Sequence, residues 1–330
     1  MKYKNAITDV RGIEVGHAQA AEALTGCTVI LCRKGAVAGV DVRGGAPGTH
    51  ETDLLNPINL VQKVHAIVLA GGSAFGLDAA SGVMRYLEEK KIGFNTGVAK
   101  VPIVPAAILY DLNIGLASVR PDSAMGYQAA ASAASDAPGE GNIGAGTGAS
   151  VGKMFGNKLS MKSGLGTASL DIGGGIVVGA IVAVNAWGDV IDPQTNEILA
   201  GLRSGKVGPL RVGGQDQFAD TLAMMKKPVG RNLLGFATRA NTVIGVVATN
   251  ANLTKAQATK VAQMAQAGIA RTIRPAHTML DGDVIFALAT GSKKTDASTV
   301  GAFAAEVMAT AIIRAVKMAK PAGGLPGLMK

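Results

Sequence analysis

A chain of 330 residues, 48% of them hydrophobic, is long enough to bury a large core, and no shift in composition marks a linker, so one domain over 1–330 is expected. The formal charge of +9 comes from 32 Lys and Arg scattered in short pairs such as Lys226-Lys227 and Lys293-Lys294, while aromatic residues make up only 4%. That pattern argues against a nucleic-acid partner and for a solvated basic surface.

The first residues, Met1-Lys-Tyr-Lys-Asn5, lack the apolar segment of a secretion signal. No run approaches the ~20 apolar residues of a membrane span, so a cytoplasmic chain with no membrane partner is expected. Residues 7–16 alternate well enough for a first strand, and 28–33 give a second. Cys27 and Cys32 stand i, i+5 apart there, on opposite faces, so neither a disulfide nor a thiol metal site is expected. Residues 66–70 are a short apolar run before Gly71-Gly72, read as a buried strand. The stretch 74–90 carries Phe75, Ala79, Val83 and Leu87 at helical spacing. Residues 101–109 are apolar but broken by Pro102 and Pro105, which predicts an irregular or edge segment. Residues 124–136 are alanine-rich and helical by propensity.

Gly141-Asn-Ile-Gly-Ala-Gly-Thr-Gly148 is a glycine-dense loop without the lysine and spacing of a P-loop. It reads equally as a structural turn or as a cradle of amides for an anion or a reacting carbonyl. Residues 169–172 and 176–184 predict a hairpin around Gly173-Gly174-Gly175. From 192 to 241 the pattern dissolves into one long connection. After it come a strand from Thr242, a helix over 254–272, a strand over 283–290 and a helix over 298–319 that Pro321 stops. Paired strands followed by helices suggest packed sheets with helices outside.

Asn241-Thr242 opens the apolar run 242–249, which reads as a buried strand, and 234–240 reads as a loop able to move away. The pair has an ordinary reading as a turn into a sheet. It has a chemical one as well. A threonine hydroxyl is a poor nucleophile, but if the bond before it breaks, the freed α-amine serves as its base.

The blocks Thr8-Asp-Val-Arg-Gly-Ile-Glu-Val-Gly-His17, Arg43-Gly-Gly-Ala-Pro-Gly-Thr49, Asp53-Leu-Leu55, Leu69-Ala-Gly-Gly-Ser-Ala-Phe-Gly-Leu-Asp-Ala-Ala80, Gly144-Ala-Gly-Thr-Gly148, Gly164-Leu-Gly-Thr-Ala168, Val184-Asn185 and Asn241-Thr242 stand in one order. Together they resemble the L-aminopeptidase/D-esterase family, which includes β-peptidyl aminopeptidases. The resemblance implies an α+β fold, a four-layer αββα sandwich. That fold is similar to N-terminal-nucleophile hydrolases with different connectivity and is shared with ornithine acetyltransferases. It also implies autocleavage into 1–241 and 242–330, and a homo-oligomer, a tetramer or larger. The expected substrate is a small peptide or an amino-acid amide or ester, with no cofactor and no metal.

Residue by residue, the resemblance makes Thr242 the nucleophile, and Asn185 the side-chain amide that donates to the oxyanion. Asp281 and Asp283 stand where better-known members carry Ser-Gly-Glu beside the nucleophile and its amine. Tyr110 is a candidate for a tyrosine near the oxyanion. The family's amine-binding glutamate has no match near 103–107, which puts aminopeptidase specificity in doubt. His17, His50, His65 and His277 do not cluster, and structural or surface roles are expected for all four, with the rim of the site as the alternative for His277, close in sequence to Asp281. Acyl transfer of the ornithine acetyltransferase type and a non-catalytic protein retaining the fold are the alternatives.

Overall fold

The computed structural model describes residues 3–228, 230 and 241–330. Among them the main sheet comprises β1 (Glu14–Ala20), β2 (Thr25–Val42), β3 (Thr49–His50), β4 (Lys63–Ala70), β5 (Ala106–Ile108), β6 (Leu165–Asp171), β7 (Val177–Asn185), β8 (Thr242–Ala251) and β9 (Val284–Lys293). The helices are α1 (Ala79–Glu89), α2 (Ser123–Ala131), α3 (Thr221–Met225), α4 (Lys255–Thr272) and α5 (Ala297–Lys317).

β2 runs for 18 residues and serves two layers. Residues 25–31 pair with β1 and 27–31 with β4, the register breaks between Leu31 and Ala36, and 37–42 pair with β9. One layer is thus β6-β7-β8-β9 and the end of β2; the other is β1, the start of β2, β4, β5 and β3. Successive strand residues point to opposite faces, and the core sorts accordingly. Ile181, Ile244, Val246, Phe286 and Leu288 meet Ile30, Ile67 and Leu69 between the layers. Val182, Val184, Val243, Val247 and Ile285 pack instead under α4 and α5, against Ile269, Met308 and Ile312. Val29, Leu31, Ala66 and Val68 pack under α1 and α2, against Val83 and Leu87. Helices, sheet, sheet, helices is the four-layer sandwich. Burial on both faces is why the central strands read as continuous apolar runs.

Several elements depart from the sequence reading. The first strand starts at Glu14, because Ile7–Asp9 forms a 3-10 turn whose Asp9 carboxylate accepts the N–H groups of Lys4 and Ala6. The front of the 74–90 helix is a 3-10 turn, Ser73–Asp78, and α1 begins only at Ala79. β5 lies between β4 and β3 rather than at an edge. The connection after 192 is not structureless: it holds the short strands Ile198–Ala200, Gly205–Val207 and Leu210–Val212 and then α3. Buried Asp189 ties it down, accepting from Leu202 N–H (2.7 Å), Thr221 N–H (2.7 Å) and the Thr221 hydroxyl (2.8 Å). Residues 234–240, read as a movable loop, lie outside the described residues.

The glycine-dense loop resolves to a structural turn. The Gly144 and Ala145 amides donate to the Gln19 and Thr28 side chains, and those of Gly146 and Thr147 to the carbonyls of Ile143 and Gly144. The fully buried Lys162 ammonium caps the carbonyls of Gly146, Ala149 and Ser163. Cys27 and Cys32 are free, in different core layers. One expectation fails on hydropathy: α5 has 21 residues with a mean hydropathy of 1.5 over its best window, long and apolar enough to cross a membrane by length and composition. Its apolar stripe, Val300, Ala304, Val307, Met308, Ala311, Ile312, Ala315 and Val316, faces the core.

Phe286 is fully buried between the two sheet layers. Phe286→Ala is expected to cost about 3–5 kcal/mol of unfolding free energy. Ile58→Ala, at a side chain 87% exposed, is expected to change it by less than about 0.5 kcal/mol. Urea midpoints at equal slope measure both.

Candidate active site

Antiparallel pairing of β7 with β8 sets Asn185 opposite Thr242, the last pair of that ladder. On its other side β8 runs parallel to β9, and the pairing extends backwards through a bridge between Asn241 and Asp281. Asp281-Gly282-Asp283 is thereby laid along Asn241-Thr242-Val243. Gly282 N–H donates to the Asn241 carbonyl (2.9 Å) and Val243 N–H to Asp283 Oδ1 (2.8 Å). The Thr242 hydroxyl donates to that same Asn241 carbonyl oxygen.

This approach needs glycine. A Cβ on Gly282 would lie 2.9 Å from Thr242 Oγ1 and 2.6 Å from the Ala46 carbonyl oxygen. One on Gly44 would lie 2.2 Å from the Asp281 carbonyl oxygen. The Arg43-Gly-Gly-Ala46 segment can therefore close over the pair, with Arg43 N–H on the Asp283 carbonyl and Ala46 N–H on that of Asp281 (2.9 Å each).

Asn185 is fully buried and its amide is oriented by its partners. Oδ1 accepts from Ser150 N–H (3.1 Å) and Lys153 Nζ (2.8 Å), while Nδ2 donates to the Tyr110 carbonyl (2.8 Å). Tyr110 thus enters the site through its backbone. Lys153 Nζ also donates to the Asn185 carbonyl (2.8 Å). Burial pulls the Lys153 amine down to about 7, against the negative charges of Asp281 and Asp111. Asp281 Oδ2 accepts from Thr278 N–H (2.9 Å) and the Thr278 hydroxyl (2.6 Å). Burial first, and then neighbouring Asp283, push the Asp281 carboxyl up to about 6.

The structure brings together Thr242, Asn185, Asp281, Asp283 and the Tyr110 carbonyl. It adds Lys153, which the sequence reading missed, and His277, for which that reading offered the rim only as an alternative. Lys153 lies in an aperiodic stretch, and its only signal is a lone cation among small and apolar residues. His277 was expected at the surface or in a structural place. It stands inside the cluster, its ring Nδ1 2.8 Å and its N–H 3.2 Å from Asp283 Oδ2. The other histidines lie elsewhere: His17 Nδ1 meets the Thr28 hydroxyl, and burial pushes its ring down to about 4. His65 accepts Ile103 N–H.

A cavity of about 310 Å³ adjoins this cluster, walled by Trp187, Met225, Thr278, Met279 and Leu280. A larger one, about 830 Å³, is lined by Arg203, Lys206, Arg211 and Asp216 among others and touches none of the clustered residues. The smaller one is tied to the cluster through Thr278, which donates to Asp281.

Comparison with known proteins agrees with this picture. Residues 5–329 match the sequence profile of peptidase family S58. The chain is 44% identical over 345 residues to an aminopeptidase of Mycobacterium tuberculosis described as uncharacterized, covering 98% of this chain and 96% of that one. It is 31% identical over 325 residues to a 6-aminohexanoate-oligomer endohydrolase of Kocuria sp., covering 94% and 85%. Among solved structures, a Burkholderia sp. beta-aminopeptidase superposes with a TM-score of 0.69 at 25% identity, covering 99% of this chain and 91% of that one. The L-aminopeptidase D-Ala-esterase/amidase of Ochrobactrum anthropi, a variant of the Ntn hydrolase fold, superposes at 0.70 with 21% identity, covering 98% and 88%. The chain belongs to peptidase family S58 and is a hydrolase of the peptidase class.

Proposed function

We propose that this hydrolase cuts itself between Asn241 and Thr242 and then cleaves amide bonds through an acyl-enzyme on Thr242. One observation carries the reading. The Thr242 hydroxyl and the Gly282 N–H converge on the carbonyl of the bond to be cut. A hydroxyl so placed can close a five-membered ring on the carbonyl carbon, and the amide N–H supports the oxyanion that results.

In the first step Oγ1 bonds to the Asn241 carbon and gives up its proton. Lys153, whose amine lies near 7, suits both the taking and the giving of that proton at neutral pH. Breaking the C–N bond leaves an ester and a free amine, and water opens the ester to an Asn241 carboxylate and a restored hydroxyl. In turnover the Thr242 amine takes the hydroxyl proton while Oγ1 attacks the substrate carbonyl. Asn185, whose amide Nδ2 is oriented by the Tyr110 carbonyl, is the proposed oxyanion donor. The leaving amine takes the proton, and water releases the acyl group. Asp283, bound to the amide one residue along, balances the terminal ammonium.

The substrates of this reading are small peptides and amino-acid amides or esters. A second reading, hydrolysis inside aliphatic amide oligomers, is favoured by one observation. Where a carboxylate would recognise a substrate amine, Ile103, Val104, Ala106 and Ala107 are buried and apolar. Among the described residues the walls of the nearby cavity are uncharged, which suits a methylene chain. Assembly into a homo-oligomer in the cytoplasm belongs to the same proposal. The exposed Ile58, Leu60 and Val98 are consistent with a covered face.

Denaturing gels and N-terminal sequencing test the cleavage. Wild type is expected as two fragments, 1–241 and 242–330, the second starting Thr-Val-Ile-Gly, and Thr242→Ala as one inactive band. A single band in an active wild-type preparation overturns the proposal. A second expectation concerns Asp281. Its carboxyl titrates near the ordinary ~3.9 in the unfolded chain and at about 6 in the fold. A raised carboxyl contributes stability that is fully present below about pH 4 and is lost as pH rises through 6. Asp281→Asn removes that loss. Relative to wild type, the variant's urea midpoint is expected to rise from about pH 4 to 6.5 and then to level off.

A further inference from the structure

We infer that His277 is a positioning residue for this reaction, holding the Asp283 carboxylate in register with Thr242; the inference rests on the hydrolase reading above. Two donors of one residue converge on one oxygen. His277 Nδ1 lies 2.8 Å and His277 N–H 3.2 Å from Asp283 Oδ2. The other carboxylate oxygen, Oδ1, accepts Val243 N–H at 2.8 Å. The carboxylate therefore bridges the 277 segment and the first strand amide after Thr242, and both its oxygens are fixed. Anything that lets Oδ2 swing also frees the Val243 amide, and with it the nucleophile one residue before.

The chemistry of the ring agrees. Both Asp283 oxygens accept backbone N–H groups, and the tautomer that matches such an acceptor pair carries its hydrogen on Nδ1. The other nitrogen, Nε2, is buried with no hydrogen-bond partner among the described residues. Among the described residues the polar contacts of the ring are thus directed at Asp283 alone. The backbone adds a separate observation. His277 has φ +56°, in the left-handed region that a β-carbon resists. Glycine or asparagine is the easy occupant there. A histidine gives up backbone ease and gains a donor at the Nδ1 position.

Asparagine offers the same donor, since its Nδ2 falls where histidine Nδ1 lies, and it tolerates the same φ. Glycine fits the backbone without the donor. Glutamine keeps an amide but reaches past, towards the Nε2 position. The test is the rate at which freshly made full-length chain converts to two fragments, which needs no knowledge of the substrate. His277→Gly is expected to slow conversion by about 10- to 100-fold, the order that misplacing a reacting group costs. His277→Asn is expected to restore it to within about threefold of wild type, and His277→Gln is not. Equal unfolding midpoints for the Gly and Asn variants separate position from stability.

Conversion by His277→Gly at the wild-type rate overturns the inference. So does an Asn variant as slow as the Gly variant. Should the Gly variant not fold, the Asn and Gln variants decide: equal rates overturn the inference, and faster conversion by Asn upholds it. A wild type that never converts overturns the hydrolase reading as well. A wild type that converts while the histidine variants match it overturns this inference alone.

Discussion

The parallel bridge between Asn241 and Asp281 is the constraint on which the site depends. It is one pair long and lies just before the regular ladder of β8 and β9 begins at Ile244 and Val284. A parallel pair needs a crossover to return the chain, and α4 supplies it between Thr254 and Ile273. The helix N-terminus is fixed by a capping box, Thr254 with Gln257. The helix body packs Val261, Ala262, Ala265 and Ile269 on the sheet. The length of this return sets where β9 enters, and hence which residue lies beside Thr242. On the other flank the antiparallel ladder with β7 sets Asn185. A one-residue slip in either ladder would turn the side chains to the opposite face and separate the hydroxyl, amide and carboxylate.

Buried charge is the second thread. Lys153, Lys162, Asp111, Asp281 and Asp283 are all at most 5% exposed. Isolated ions are not stable in such surroundings. The signs alternate. Lys162 feels Asp111, and Lys153 feels both Asp111 and Asp281. Asp111 is further held by Gly72 N–H (2.7 Å) and the Thr25 hydroxyl (2.8 Å). Burial weakens each charge, and alternation limits the loss. The outcome is amines near 7 and a carboxyl near 6. Those values lie where small changes of environment move protons, which is the condition for acid–base work at neutral pH. The glycine-dense loop belongs to this thread: its carbonyls, not its amides, meet a charge, that of Lys162.

The same physics decides what the sequence discloses. The central strands and the helices α4 and α5 were legible because burial repeats along them. Packed sheets with outer helices and a chemical reading of Thr242 could be drawn from pattern and local chemistry, whereas the αββα connectivity and the companions Asn185, Asp281 and Asp283 came only through ordered blocks shared with a family. No local period connects residue 185 to 242 or 281. Lys153 escaped because its partner Asn185 lies 32 residues on, at the far end of the β6-β7 hairpin, while the contact of His277 with Asp283, 6 residues on, has no periodicity to declare it. Tyr110 was legible as a position but not as a contact, since its carbonyl rather than its phenol meets Asn185. The strands after residue 192 are three residues each, too short for any periodicity to declare them.

What cutting the 241–242 bond would do to the fold follows from the core itself. Residues 242–330 carry β8, α4, β9 and α5. β8 lies between β7 of the first segment and β9 of the second, and β9 lies between β8 and β2. Both large cores mix the two segments: Ile181 with Ile244 and Phe286 in one, Val182 with Val243 and Met308 in the other. Neither segment could leave without opening the β8 edge towards β7 and the β9 edge towards β2, and baring the face that meets the other layer. Each fully buried Val, Ile or Phe represents about 1.5–3 kcal/mol of transfer free energy, and dozens of buried apolar residues line these cores. One peptide bond is a small constraint against that sum. The sheet would therefore keep a new terminus at 242 where the strand begins, opposite Asn185 and one residue from Asp283. A buried, fixed amine beside its own hydroxyl requires such a strand, cut at its first residue and held by neighbours on both sides.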